Sequence, residues 1–140
     1  MIKATKGIIF IKGKYLLQLR DNKKNIFFPN FWGLFGGSLN KNETHKKAVE
    51  REIKEETNLI VKAARKILSV NFSMITLKRK RQIVYYECKI SKKRKIILAE
   101  GQKYKFFSLN QIKKLNVIPM DFVAISSHYF KIKKYTSQNH

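Results

Sequence analysis

Carboxylates are scarce in this chain. Nine Asp and Glu stand against 31 Lys and Arg in 140 residues, a formal net charge of +22. A single cysteine, Cys88, excludes a disulfide framework. Only two prolines and six glycines are present, too few for a low-complexity or collagen-like chain. No apolar run approaches the ~20 residues of a membrane span. The first six residues mix lysines with apolar side chains and carry no signal-peptide core. These absences predict a soluble, cytoplasmic protein with no membrane partner. Hydrophobic residues make up 44%, enough for a sizeable core. The length suits one domain, expected over 1–135, with a frayed tail at 136–140.

The positive charge attracts polyanions such as nucleotides and RNA. Lysine rises together with Ile and Asn, however, which is also how an A/T-biased codon usage reads. Two clusters are dense: Lys78-Arg79-Lys80-Arg81 and Lys92-Lys93-Arg94-Lys95. A strand-like stretch of about ten residues between them puts them roughly 30 Å apart, at opposite ends of a strand.

The local pattern is mixed. Residues 6–11 and 14–20 read as strands joined by a Lys12-Gly13 turn. Residues 21–30 read as a loop, and 32–37 as a short apolar piece ending in two glycines. A helix is expected over 44–57, strands over 61–75, 82–90 and 103–108, and helices over 109–115 and 120–134. The class is α/β or α+β, with one long sheet and two or three helices.

The few acids are unevenly spread. Five of nine, Glu43, Glu50, Glu52, Glu55 and Glu56, fall on or near the 44–57 helix. At 100° per residue, Glu55 and Glu56 lie within roughly 60° of Glu52. Ala48, Val49 and Ile53 share that face. An ordinary amphipathic helix keeps charge on the outer face. Three carboxylates beside core residues are costly unless a cation compensates, and a hard divalent ion such as Mg²⁺ suits oxygen donors. Pairing with lysine one turn away explains Glu50 but not these three. His45 and His128 read as ordinary surface or helix residues, and Cys88 as a buried strand residue.

The spacing Gly37, five residues, Glu43, seven residues, Arg51-Glu52-Ile53-Lys54-Glu55-Glu56-Thr57-Asn58-Leu59 resembles the Nudix box. One position departs: Asn58 stands where the family has glycine, and Asn is the next best residue for a left-handed turn. Further resemblance to MutT-type members lies in the starting hairpin, in Phe31-Trp32-Gly33-Leu34-Phe35-Gly36-Gly37, and in Glu100-Gly101-Gln102. Phe35 departs from the proline common before the glycine pair. The resemblance implies the Nudix fold, a mixed β-sheet sandwiched between helices. It implies a pyrophosphohydrolase of an NTP, dNTP or sugar nucleotide, using Mg²⁺ or Mn²⁺.

By the same resemblance Gly36, Glu52, Glu55, Glu56 and Glu100 would hold metal. Glu52 is the first candidate for the base. Arg51 joins the catalytic set, although with Glu43 it more often braces loop and helix. Arg20, Leu34, Phe35 and Asp121 fall on the substrate side. Asp121 is read either as an acceptor for the base edge or as an N-cap for the last helix. Glu100 is otherwise a turn residue. Phe27, Phe28, Phe31 and Trp32 are expected mostly to pack. Many relatives form homodimers, which extends that expectation here. Two other readings stand beside this one: an RNA 5′-pyrophosphohydrolase, and a non-catalytic nucleotide- or RNA-binding Nudix-like module.

Overall fold

The computed structural model describes residues 1–138 except 75–78, 92–93 and 100, and excepting the side chains of 74 and 135–138. The strands are β1 (Ile2–Ile8), β2 (Phe10–Ile11), β3 (Lys14–Leu19), β4 (Trp32–Gly33), β5 (Phe35–Ser38), β6 (Val61–Met74), β7 (Arg79–Ile90) and β8 (Lys103–Phe107). The helices are α1 (His45–Thr57), α2 (Leu109–Ile112) and α3 (Pro119–Gln138).

The strands form two four-stranded sheets where one long sheet was expected. The mixed sheet has the order β5-β1-β7-β6, with β1 parallel to β7 and antiparallel to β5. In the second sheet β3 pairs antiparallel with β2, β4 and β8. Ile9, buried between β1 and β2, is where the apolar run changes sheet, a break invisible in the run itself. The Lys12-Gly13 turn has positive φ at both residues (51° and 79°), the conformation a tight hairpin needs.

Alternation along β7 separates two cores. Ile83 and Tyr85 face the one that holds Ala124 and Ile125 of α3. Cys88 faces the one that holds Val49 and Ile53 of α1. Helices therefore lie on both sides, as the family resemblance implied. Burial pushes the Cys88 thiol up to about 12, so it stays a neutral packing group. α3 extends to Gln138, beyond the 120–134 expected.

His128 on α3 joins the two sheets. It is fully buried, with Nδ1 2.8 Å from the Tyr15 hydroxyl and Nε2 2.6 Å from Glu87 Oε2. The Glu87 carboxylate can only accept, so Nε2 carries the proton and Nδ1 accepts from Tyr15. Burial lowers the His128 pKa; Arg65 and Lys131 act in the same direction, and Glu87 acts against it. The folded value lies below the unfolded one, so the unfolded chain takes up this proton first. Stability is therefore expected to be full above about pH 6.5 and to fall as pH drops below it. The melting temperature should drop between pH 7 and 5.5 by more in the wild type than in His128→Gln. Equal slopes would refute this role.

Candidate active site

α1 starts on Thr44, whose hydroxyl accepts from Lys47 N–H at 3.1 Å. It ends on Asn58 in the left-handed conformation (φ 68°), whose N–H reaches Lys54 O at 2.9 Å. The replacement of glycine by Asn58 thus leaves the turn intact. Ala48, Val49, Ile53 and Thr57 are buried, and the glutamates sit along the rim of that face.

Across from them, β5 lies hard against β1. A Cβ on Gly36 would sit 2.0 Å from the Thr5 carbonyl oxygen. A Cβ on Gly37 would sit 2.6 Å from Glu52 Oε1. Gly36 lets β5 pair closely with β1, and Gly37 lets the Glu52 carboxylate approach the strand.

Arg51 organises the acids. Its Nε and Nη2 donate to Glu43 at 2.8 and 2.9 Å, and Nη2 also to the Ser38 carbonyl at 3.1 Å. Its Nη1 donates to Glu52 Oε1 at 2.9 Å and to Glu55 Oε2 at 3.1 Å. The fork ties the loop before α1 to the helix face. The Arg51 hydrogen bond, with Asn40 N–H, lowers the Glu43 pKa to about 2. Arg51 is in turn held well above the ordinary arginine range by Glu43.

Glu52, Glu55 and Glu56 open with Gly36 and Gly37 into one cleft of about 840 Å³. Arg20, Lys23, Phe27, Phe28 and Arg81 line another part of its wall. Among the described residues the lining offers carboxylate and carbonyl oxygens but no His or Cys, a donor set suited to Mg²⁺ or Mn²⁺. Also among the described residues, no three His, Cys, Asp or Glu side chains form a ready-made metal cluster. Arg51 holds Glu52 and Glu55 in the meantime, and Glu55 is 58% exposed and has room to turn.

The substrate-side expectations divide. Arg20 lines the cleft, and its Nε braces the Phe27 carbonyl at 2.8 Å. Leu34 and Phe35 do not line it: each is 1% exposed, one in each core, because β4 and β5 run beneath the site. Asp121 is 0% exposed. It does not cap α3 either, since it lies in the first turn and its oxygens point to Lys6, Tyr85 and Leu34 N. Glu100 lies outside the described residues, as do Lys78, Lys92 and Lys93. Trp32 packs edge-on against Phe107 at 4.8 Å, as expected of packing.

Lys6 and Arg81 are among the cleft residues that escaped the sequence reading. Lys6 lies on β1, opposite Gly36. Arg81 stacks over the Phe27 ring at 4.4 Å, and its buried Nε has no hydrogen-bond partner. Burial lowers its pKa, with Arg20 and Arg79 adding to the effect. The available signal was period: Arg81 is two residues before the buried Ile83 and faces the same way.

A family model described as the NUDIX domain matches residues 2–124. The chain belongs to the Nudix family. Its relatives include an uncharacterized Nudix hydrolase, lin0387, of Listeria innocua, 43% identical over 51 residues. That match spans 36% of this chain and 30% of the Listeria protein. The MutT protein of Methanosarcina mazei is 24% identical, with a TM-score of 0.77 over 95% of this chain and 94% of that one. The Nudix domain of Shewanella oneidensis NrtR, solved with ADP ribose, is 17% identical, with a TM-score of 0.77 over 94% and 88%. At these identities the structural likeness is one of fold. Nudix hydrolases act on pyrophosphate bonds, and this chain has that family's box on its α1 and a cleft beside it.

Proposed function

We propose that the protein hydrolyses the pyrophosphate bond of a nucleoside di- or triphosphate derivative, with Mg²⁺ or Mn²⁺ as cofactor. The observation that carries this reading is one cleft lined by both the three box glutamates and two arginines, Arg20 and Arg81. Glu52, Glu55 and Glu56, with the Gly36 carbonyl, would hold the metal. When bound it would neutralise phosphate oxygens and acidify the attacking water. Arg51 orients Glu52 until the substrate arrives. Arg20 and Arg81, close enough to repel one another, suit phosphate oxygens. Phe27 and Phe28 give the same wall an aromatic surface. Glu52, in contact with Arg51 and close to Gly37, is the candidate base by the family resemblance. The ADP ribose held by the NrtR domain is consistent with a nucleotide derivative as ligand.

The test is phosphate and pyrophosphate release with Mg²⁺ over nucleoside triphosphates, ADP-ribose, sugar nucleotides and dinucleoside polyphosphates. One class should dominate, and EDTA or Glu56→Gln should abolish its turnover. No turnover with either metal would sink the proposal.

A second reading is favoured by one observation. Arg79 and Lys80 are exposed and lead directly into Arg81 at the cleft. A triphosphorylated RNA 5′ end could follow that edge of the sheet. Its hydrolysis would then fall steeply with salt, where that of a mononucleotide would change little.

A further inference from the structure

The end of the cleft lined by Lys6, Ile118 and Met120 is its candidate recognition end. Asp121 lies behind that lining, in the first turn of α3 beside Met120, and does not itself line the cleft. An ionised carboxylate offers about four acceptor positions. Here Oδ1 receives Lys6 Nζ at 3.0 Å and the Tyr85 hydroxyl at 2.6 Å. Oδ2 receives Lys6 Nζ at 2.8 Å and Leu34 N–H at 2.9 Å. Gly33 closes over it as well, since a Cβ there would lie 3.0 Å from Oδ2. Tyr85 is pushed far above the ordinary tyrosine value by burial, and next by Asp121, so it remains a donor at any working pH. Asp121 is 0% exposed and saturated. It has no acceptor position left for a substrate amino group.

Lys6 is the counterpart. An ammonium carries three donors, and Asp121 uses at most two. The Lys6 side chain is 14% exposed and lines the cleft. Ala4, Ile83, Ile118 and Met120 line it too. Such apolar walls suit a flat base better than a phosphate. The stem starts opposite Gly36, at the glutamate end, and the ammonium ends at Asp121, so one side chain spans from the reacting end to the recognition end.

We infer that Lys6 is the specificity-determining residue for the base: its remaining N–H selects bases that present a carbonyl over those that present an amino group. This rests on the hydrolase reading above and names the substrate class within it. An amino group brought to this ammonium would face a donor, and the Asp121 behind it has no acceptor position to offer, whereas a carbonyl would complete the inventory of Lys6. Both arginines gather at Phe27, where Arg20 Nε donates to its carbonyl and Arg81 stacks on its ring, and their remaining N–H groups are left for phosphate oxygens.

The test compares pairs that differ at the position concerned: ITP with ATP, and UTP with CTP. A hydrogen bond to a charged donor predicts a kcat/KM ratio of about 10–100 in favour of the keto member. Lys6→Gln keeps a donor for Asp121 and offers an acceptor, so the ratio should fall to near one or reverse. Lys6→Arg should keep the preference. Affinities of IDP and ADP for the wild-type chain, measured calorimetrically in EDTA, separate recognition from hydrolysis. Tighter IDP binding without turnover would uphold the base reading and remove the hydrolase one. Equal binding and equal turnover of the members of each pair in the wild type would overturn the inference. So would a preference that survives in a folded Lys6→Gln. If that variant does not fold by circular dichroism, the wild-type binding comparison decides alone.

Discussion

Glu52→Gln should lower kcat by about 10²–10⁴-fold with Mg²⁺ while leaving KM and the melting temperature nearly unchanged. The amide is close to isosteric with the carboxylate. Its oxygen can still accept from Arg51 Nη1, now 2.9 Å away, and still fit against Gly37. What it loses is the negative charge and the capacity to take a proton. Both are needed if Glu52 holds the metal and serves as base. A loss in kcat alone would mark an interaction made in the transition state and not in substrate binding. Single-turnover kinetics at saturating substrate is the clean measurement. Activity within tenfold of wild type would remove Glu52 from both roles and point to an acid outside the box. Glu43 gives the useful contrast. It meets the site only through Arg51, so Glu43→Gln should cost much less kcat than Glu52→Gln.

Gly36→Ala should be the most damaging small substitution for stability. The new Cβ would sit 2.0 Å from the Thr5 carbonyl oxygen and 2.7 Å from Lys6 Cα, both backbone atoms. No rotamer change relieves that contact. β1 and β5 would have to separate where Lys6 pairs with Gly36. Overpacking of this kind costs about 1–3 kcal/mol or more. For a chain of this size that is a fall in melting temperature of roughly 4–12 °C. Gly13→Ala is the control, since nothing lies within 4 Å of a Cβ there and only the positive φ opposes it. A Gly36→Ala chain as stable as wild type would mean that the strands are less tightly paired than the geometry requires.

The glutamate-bearing part of the cleft was legible because it is local. Glu43, Arg51, Glu52, Glu55 and Glu56 sit on one helix and its leading loop, so fixed helical geometry turns spacing into a face. Asn58 could be read for the same reason, as a residue tolerant of the left-handed turn. The surroundings of Asp121 are assembled from β1, the β4–β5 junction, β7 and α3, far apart in the chain. Lys6 looked like one more lysine among many. Asp121 looked like either a cap or a base contact, and its partners Lys6 and Tyr85 are 115 and 36 residues away. Leu34 and Phe35 were assigned to the substrate side by the family resemblance, but a two-residue period places them in the two cores.

By itself, then, the sequence determined the helix with its misplaced carboxylates, the tight turns, the family, and the absence of a disulfide framework. These depend on neighbours within a few residues, where backbone geometry leaves little choice. Only the tertiary structure decided how the strands divide into two sheets, that Arg81 stacks on Phe27 in the cleft, and that Asp121 is already satisfied by Lys6. Those outcomes depend on which buried polar groups meet after the strands pair. A hydrogen-bond inventory across long sequence separations can be closed only in three dimensions.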